Sequence, residues 1–242
     1  MDALCAGLNA EDASRLYEFP DGRQLILPLF RSRGLPRCLS VERSPLIGSL
    51  VSSGPASQME LQAIFNDLGK RRVLRTVVRP SALTGDVWAS AAPPDLISIK
   101  RRSHVLDLQG GFEEVWKYRF NGQARRAIRK AEKAQIEVEC DSTGRLLPVF
   151  YEMLQKSIVR WAQANHQPVF LARWRANRRD PIRRFQRMSD ALGDAYRIWV
   201  AKVHGQPAAA IIVLFGDNAH YTRGAMDKGV AGPVRANFLL QK

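Results

Sequence analysis

Residues Arg197–Met226 read RIWVAKVHGQPAAAIIVLFGDNAHYTRGAM. Three runs with strand-like composition, Arg197–Val203, Pro207–Phe215 and Ala219–Met226, are separated only by His204-Gly205-Gln206 and Gly216-Asp217-Asn218. Connections this short join antiparallel neighbours, because a parallel pair needs a long crossover. The stretch therefore predicts a three-stranded antiparallel meander. Upstream, Leu147, Phe150, Tyr151, Leu154, Ile158 and Trp161 keep helical spacing and predict a long helix over Leu147–Ala164. Helices combined with an antiparallel sheet in this order make an α+β fold.

Further upstream lies Asn121–Glu139, NGQARRAIRKAEKAQIEVE. As a helix it places Ala124, Ala127, Ile128 and Ala131 on one side, and Arg125, Arg126, Arg129, Lys130 and Lys133 on the other. The small apolar seam suits close packing on a sheet. Ile136, Val138 and Cys140 then alternate with Glu137 and Glu139 as in an edge strand. A second basic stretch spans Arg173–Arg187. Asp180 reads as an N-cap, Pro181 as the first helical residue and Gly193 as the stop after Leu192. Ile182, Phe185, Met188 and Leu192 share a side opposite Arg183, Arg184 and Arg187, and Arg173, Arg175, Arg178 and Arg179 lead in.

These clusters hold much of the charge excess, 37 Lys+Arg against 23 Asp+Glu, a formal +14. Faces of this kind are either solvated helix surfaces or anion sites, for coenzyme phosphates, a lipid-linked sugar or an RNA backbone. Periodicity does not say whether the two clusters meet.

The first half has its own grammar. Tyr17–Phe19 and Gln24–Phe30 around Pro20-Asp21-Gly22 predict a hairpin. A loop at Gly48–Ser57, a helix at Gln58–Leu68 and a strand at Val73–Val78 follow. Arg79–Lys100, with Pro80, Pro93 and Pro94, reads as a connector, and His104–Leu108 as a strand leading into the basic helix.

Several chemistries find no support. Three cysteines at wide spacing argue against disulfides and zinc, and four scattered histidines against a metal site. There is no GxSxG elbow and no Walker phosphate loop. Trp161, Trp174 and Trp199 read as core residues. No apolar run reaches the roughly 18 residues of a membrane span, and the N-terminus lacks a signal-peptide pattern. A cytoplasmic location is expected, with peripheral contact to an anionic membrane surface left open by the charge.

The segments RFNGQARRAIRKAEKAQIEVE, VFYEMLQKS and GQPAAAIIVLFGDNAHYTRGAMD, in that order, resemble the FemAB-like branch of the GNAT acyltransferase superfamily. The resemblance covers Val105–Lys242, and the Tyr17–Phe30 hairpin resembles the matching part of a first GNAT-like domain. It implies tandem GNAT-like domains, each a mixed, largely antiparallel sheet flanked by helices. Residues 1–104 would be a partial first domain, and 105–242 a second one that stops short of the family's last strand and helix. The implied activity moves an acyl group from acyl-CoA to an amine on a cell-envelope or polysaccharide precursor, with aminoacyl-tRNA as the alternative donor. Neither a bound cofactor nor a metal is implied. From charge alone, a non-catalytic RNA- or anionic-surface-binding module is the other reading.

GNAT-type folds bind the donor pyrophosphate between the fourth strand and the next helix, where free N–H groups and the helix dipole favour anions. Here the resemblance points to Asp227–Gly232, with Lys228, Gly229, Gly232 and Arg235 as donor contacts and Pro233 opening a helix over Arg235–Leu240. Glycines would let the backbone approach a phosphate, although an ordinary glycine-rich turn has the same pattern. Tyr221 is the candidate proton donor and Asp227 the candidate amine contact or base. They read equally as a sheet aromatic and a turn former. Strict alternation would put Tyr221 with Arg223 on one face and His220 with Thr222 on the other. Arg223 joins Arg125, Arg126, Arg129 and Lys130 as a candidate anion or substrate contact.

Overall fold

In the computed structural model, residues 5, 10–33, 38–40, 50–81 and 83–242 are described. The chain divides into two compact units, Met1–His104 and Val105–Lys242.

In the first unit the predicted hairpin forms, β2 (Arg15–Glu18) pairing antiparallel with β3 (Gln24–Leu27). Gly22 takes the left-handed φ of +79° that the turn requires. The expected run to Phe30 divides instead at Pro28, which has no N–H to donate to a ladder. Phe30–Ser32 becomes β4, paired with β1 (Ala10–Asp12) in a separate sheet. There β4 also pairs with β5 (Cys38–Ser40), which runs parallel to β7 (Arg75–Val77). Of the expected Gly48–Ser57 loop, residues 48 and 49 lie outside the described residues, and Val51–Ser52 forms the short β6 beside β3.

Helix α1 (Gln58–Gly69) opens on a capping box: Glu60 N donates to Ser57 Oγ at 3.3 Å, and Ser57 N donates to Glu60 Oε2 at 2.6 Å. Its Leu61, Ile64 and Leu68 pack on Leu25, Leu27 and Leu29. The connector reading of Arg79–Lys100 is corrected by α2 (Gly85–Ala91), which contributes Trp88 and Ala91 to the same core. Trp88 meets Phe65 edge-on at 5.5 Å. Seven residues are too few to declare a helical period, so the sequence concealed a core element.

The second unit starts without the strand expected at His104–Leu108, where Val105, Leu106 and Leu108 are exposed. Helix α3 (Gly111–Glu114) runs into a π-turn at Val115–Arg119, followed by α4 (Gly122–Lys133) and β8 (Glu137–Asp141). Then come α5 (Leu147–Ala164), α6 (Val169–Arg179) and α7 (Ile182–Leu192). The meander β9 (Tyr196–Val203), β10 (Gln206–Phe215) and β11 (Ala219–Met226) leads to α8 (Lys228–Val234) and α9 (Ala236–Leu239). The sheet order is β11-β10-β9-β8, antiparallel throughout.

Helices cover this sheet on both faces. Tyr196, Ile198 and Val200 of β9 are buried on the side of α5 and α7, where Phe150 meets Phe185 at 5.7 Å. Ala201, Val203 and Ala209 face Ala231 and Ala236 of α8 and α9, alanine against alanine, so helix and sheet approach closely. Helix α9 also packs on α4, whose Ile128 and Ala131 are buried as the seam predicts. Central β10 buries Ala208–Ile212 without interruption because both its faces are covered.

Strand β8 is at the sheet edge, and its polar set turns inward. Val138 and Cys140 are exposed, whereas Asp141 is buried, accepting from Leu146 N at 3.0 Å and Thr143 Oγ1 at 2.7 Å. That carboxylate satisfies the entry into α5. Trp161 and Trp174, expected in the core, are exposed, while Trp199 is half-buried against Phe215.

Candidate functional site

Among the described residues β11 pairs on one side only, leaving its other edge open. Its register places Ile212 opposite Arg223 and Val213 opposite Tyr221, so Thr222 is an extra residue, a β-bulge. The Thr222 hydroxyl donates to the Ile212 carbonyl at 3.0 Å. One extra residue reverses the phase of the strand, which corrects the expected alternation. Tyr221 shares a face with Gly224, and a Cβ on Gly224 would lie 1.7 Å from the tyrosine hydroxyl oxygen. Tyr221 is 52% exposed, yet partial burial raises its pKa above the ordinary tyrosine value, so it is protonated at neutral pH.

Arg223 instead reaches Asp180, Nη2 donating to Oδ2 at 2.9 Å. Asp180 is not the expected N-cap: Pro181 occupies that position, and the Asp180 carboxylate is buried, paired also with Arg184 at 3.1 Å and Arg179 at 2.9 Å. Burial alone would raise this carboxyl, but Arg223, and then Arg179, outweigh it and hold it below the usual carboxylate value. Arg184 is correspondingly buried rather than part of the exposed basic face.

The end of β11 is pinned by α5. Met226 N donates to Ser157 Oγ at 3.2 Å, and Arg160 Nη1 donates to Met226 O at 2.9 Å. Asp227 N closes the ladder on Ala208 O at 2.9 Å. Asp227 Oδ1 accepts from Gly229 N at 3.0 Å, and Oδ2 lies 3.5 Å from Lys156 Nζ. This cap converts the expected glycine loop into α8, which starts at Lys228. Pro233 falls inside α8, and Arg235, at φ +62°, is the break before α9. Neither Gly229 nor Gly232 has a positive φ, and a Cβ at either would make ordinary contacts, at 3.4 and 3.9 Å. The steric reason for glycine at these positions is therefore absent. Lys228 and Arg235 are exposed.

Helix α4 opens with Ala124 N donating to Asn121 Oδ1 at 2.7 Å. Arg126, Arg129 and Lys130 are exposed and have no carboxylate partner among the described residues. Arg125 departs from the expected free face: it donates to the Lys117 and Trp116 carbonyls at 2.6 and 3.3 Å, closing the π-turn. A hollow of about 420 Å³ lies here, lined in part by Trp116, Tyr118, Arg125 and Arg129. Trp116 stands between Phe112 at 5.9 Å and Phe120 at 5.5 Å, a ledge that the sequence reading missed. The four-residue spacing of these aromatics was the available signal. The two basic clusters do not meet: α4 belongs to the α8–α9 side of the sheet, and α7 to the other.

The profile of the acetyltransferase (GNAT) domain family matches residues 118–241, more than half of the chain. The chain belongs to the GNAT acetyltransferase family. Its fold is like that of FemX, with a TM-score of 0.62 at 12% identity, over 99% of this chain and 77% of the FemX chain. The likeness to FemX is one of fold. A conserved protein of unknown function from Bacteroides thetaiotaomicron aligns with a TM-score of 0.49 at 11% identity, over 98% of this chain and 74% of its own. No curated protein matches the sequence. GNAT domains take acyl-CoA as co-substrate and pass the acyl group to an acceptor, commonly an amine. Among the described residues no helix is long and apolar enough to cross a membrane, and no cluster of His, Cys, Asp and Glu could hold a metal ion.

Proposed function

We propose that the Val105–Lys242 unit transfers an acyl group from acyl-CoA to an amine on a cell-envelope or polysaccharide precursor. The observation that carries this reading is the open, bulged edge of β11 with Tyr221 lying along it. An exposed strand edge takes up extended, amide-bearing ligands through main-chain hydrogen bonds, and the arm of coenzyme A is such a ligand. The acceptor nitrogen attacks the thioester carbonyl, the C–S bond breaks, and the departing thiolate takes the Tyr221 proton. Asp227 Oδ2, which lies 3.5 Å from Lys156 Nζ and does not cap α8, serves as the contact or base for the attacking amine. Lys228 and Arg235 add screened positive charge for the donor phosphates, beside Gly229 and Gly232. On α4, Arg126, Arg129 and Lys130 contact an anionic part of the acceptor or donor, with Arg125 in support.

Native mass spectrometry and calorimetry of the whole chain against acetyl-CoA, longer acyl-CoAs and charged tRNA test this reading. Acyl-CoA binding, with thiol release in the presence of amine acceptors that Tyr221→Phe slows, supports it. Binding of charged tRNA in place of acyl-CoA replaces the donor, and binding of neither rejects catalysis.

A further inference from the structure

Helix α6 is open to solvent over most of its circumference. Within Val169–Arg179 only Ala176 is buried, while Phe170 is 76% and Trp174 55% exposed. Four residues apart, these rings share a face. Arg173, Arg175 and Arg178 surround them, exposed and without a carboxylate partner among the described residues, and the helix contains no acidic residue. Asp180, the acid just past its end, is buried and consumed by Arg179, Arg184 and Arg223. A helix resting on a protein core turns its large aromatics inward, and α6 does the reverse.

We propose that α6 docks on an anionic lipid bilayer, seating Phe170 and Trp174 at headgroup depth while Arg173, Arg175 and Arg178 meet lipid phosphates. Aromatic anchors among arginines are the composition of a helix lying in a membrane interface, and the uncompensated cations supply the attraction to anionic lipid. A single-stranded nucleic acid fits less well, because base stacking needs open ring faces. The Trp174 ring carries the Arg178 guanidinium at 5.1 Å. This docking is independent of the acyl-transfer reading.

The test is sedimentation of the full chain with vesicles of phosphatidylcholine alone, or with roughly a third phosphatidylglycerol, over a range of salt. The expected result is binding to the anionic vesicles only, weakening as salt screens the charges. F170A/W174A should bind about tenfold less tightly or worse, with parental circular dichroism. A tryptophan blue shift on binding should shrink in W174F. Absence of parental binding to anionic vesicles overturns the proposal, as does undiminished binding by F170A/W174A, which would mean adhesion by charge alone. Polyuridylate serves as the competing ligand: if F170A/W174A loses it while keeping vesicle binding, the surface belongs to nucleic acid and the proposal fails.

Discussion

The hydroxyl of Tyr221 occupies the space in which a side chain on Gly224 would begin. Gly224→Ala must therefore displace the tyrosine. The displaced group is the free end of a half-exposed side chain, so the fold should survive, with a stability change below about 1 kcal/mol. Acyl transfer should fall in Gly224→Ala as in Tyr221→Phe, on the order of 10²-fold for a lost proton donor. Thiol-release kinetics beside urea titrations check both. Full activity in Tyr221→Phe would remove Tyr221 from the chemistry.

Asp180 is expected to dominate the acid sensitivity of the second unit. Its folded pKa lies below the ordinary aspartate value, chiefly because of Arg223 and Arg179. The stabilisation is therefore complete above the unfolded pKa and is lost as pH falls through the folded one. Urea midpoints should drop below about pH 4 in the parent and respond less in Asp180→Asn. At neutral pH, Asp180→Ala should cost about 3 kcal/mol or more, since Arg179, Arg184 and Arg223 would lose the carboxylate they share.

The arginines of α4 should separate into two kinds. Reversing Arg126, Arg129 and Lys130 to Glu should weaken binding of anionic ligands and leave stability within about 0.5 kcal/mol. Arg125→Ala should instead destabilise by about 1–2 kcal/mol, because the Trp116 and Lys117 carbonyls lose their donor. Binding isotherms and thermal melts on both variants distinguish the roles.

In α8, Gly229→Ala and Gly232→Ala should be neutral or stabilising by up to about 1 kcal/mol, as for helical glycines with room for a methyl group. Asp227→Ala should cost about 1 kcal/mol through the lost cap. Melting that drops sharply in either glycine variant would show that the helix does not persist there.

The meander and the long helix at Leu147–Ala164 were legible because short turns and strong periodicity are local signals. Two of the missed features depend on pairings that the local sequence does not reveal. Nothing about Thr222 itself announces a bulge, which is a property of its register with Ile212 and Val213. Asp-Pro at positions 180 and 181 carries a genuine N-cap signal, but Arg223, 43 residues away, claims the carboxylate. Glycines 229 and 232 suggested a loop until the Asp227 side chain took the Gly229 N–H. Trp88 was lost inside a helix too short to show a period.

The bulge also makes the address of Tyr221 a matter of residue count. The end of β11, from Arg223 onward, is anchored to Asp180, to Ser157 and to the alanine-rich packing around Met226. Its beginning is phased separately. Deleting the single residue Thr222 would leave Val213 opposite Tyr221 and Ile212 opposite Arg223, closing the bulge into a regular ladder with the tyrosine on its present face. One residue inserted between Tyr221 and Thr222 and paired in the ladder would instead slip the start of the strand by one and turn it over, so this short segment acts as a two-position selector for which face of the sheet receives a phenol.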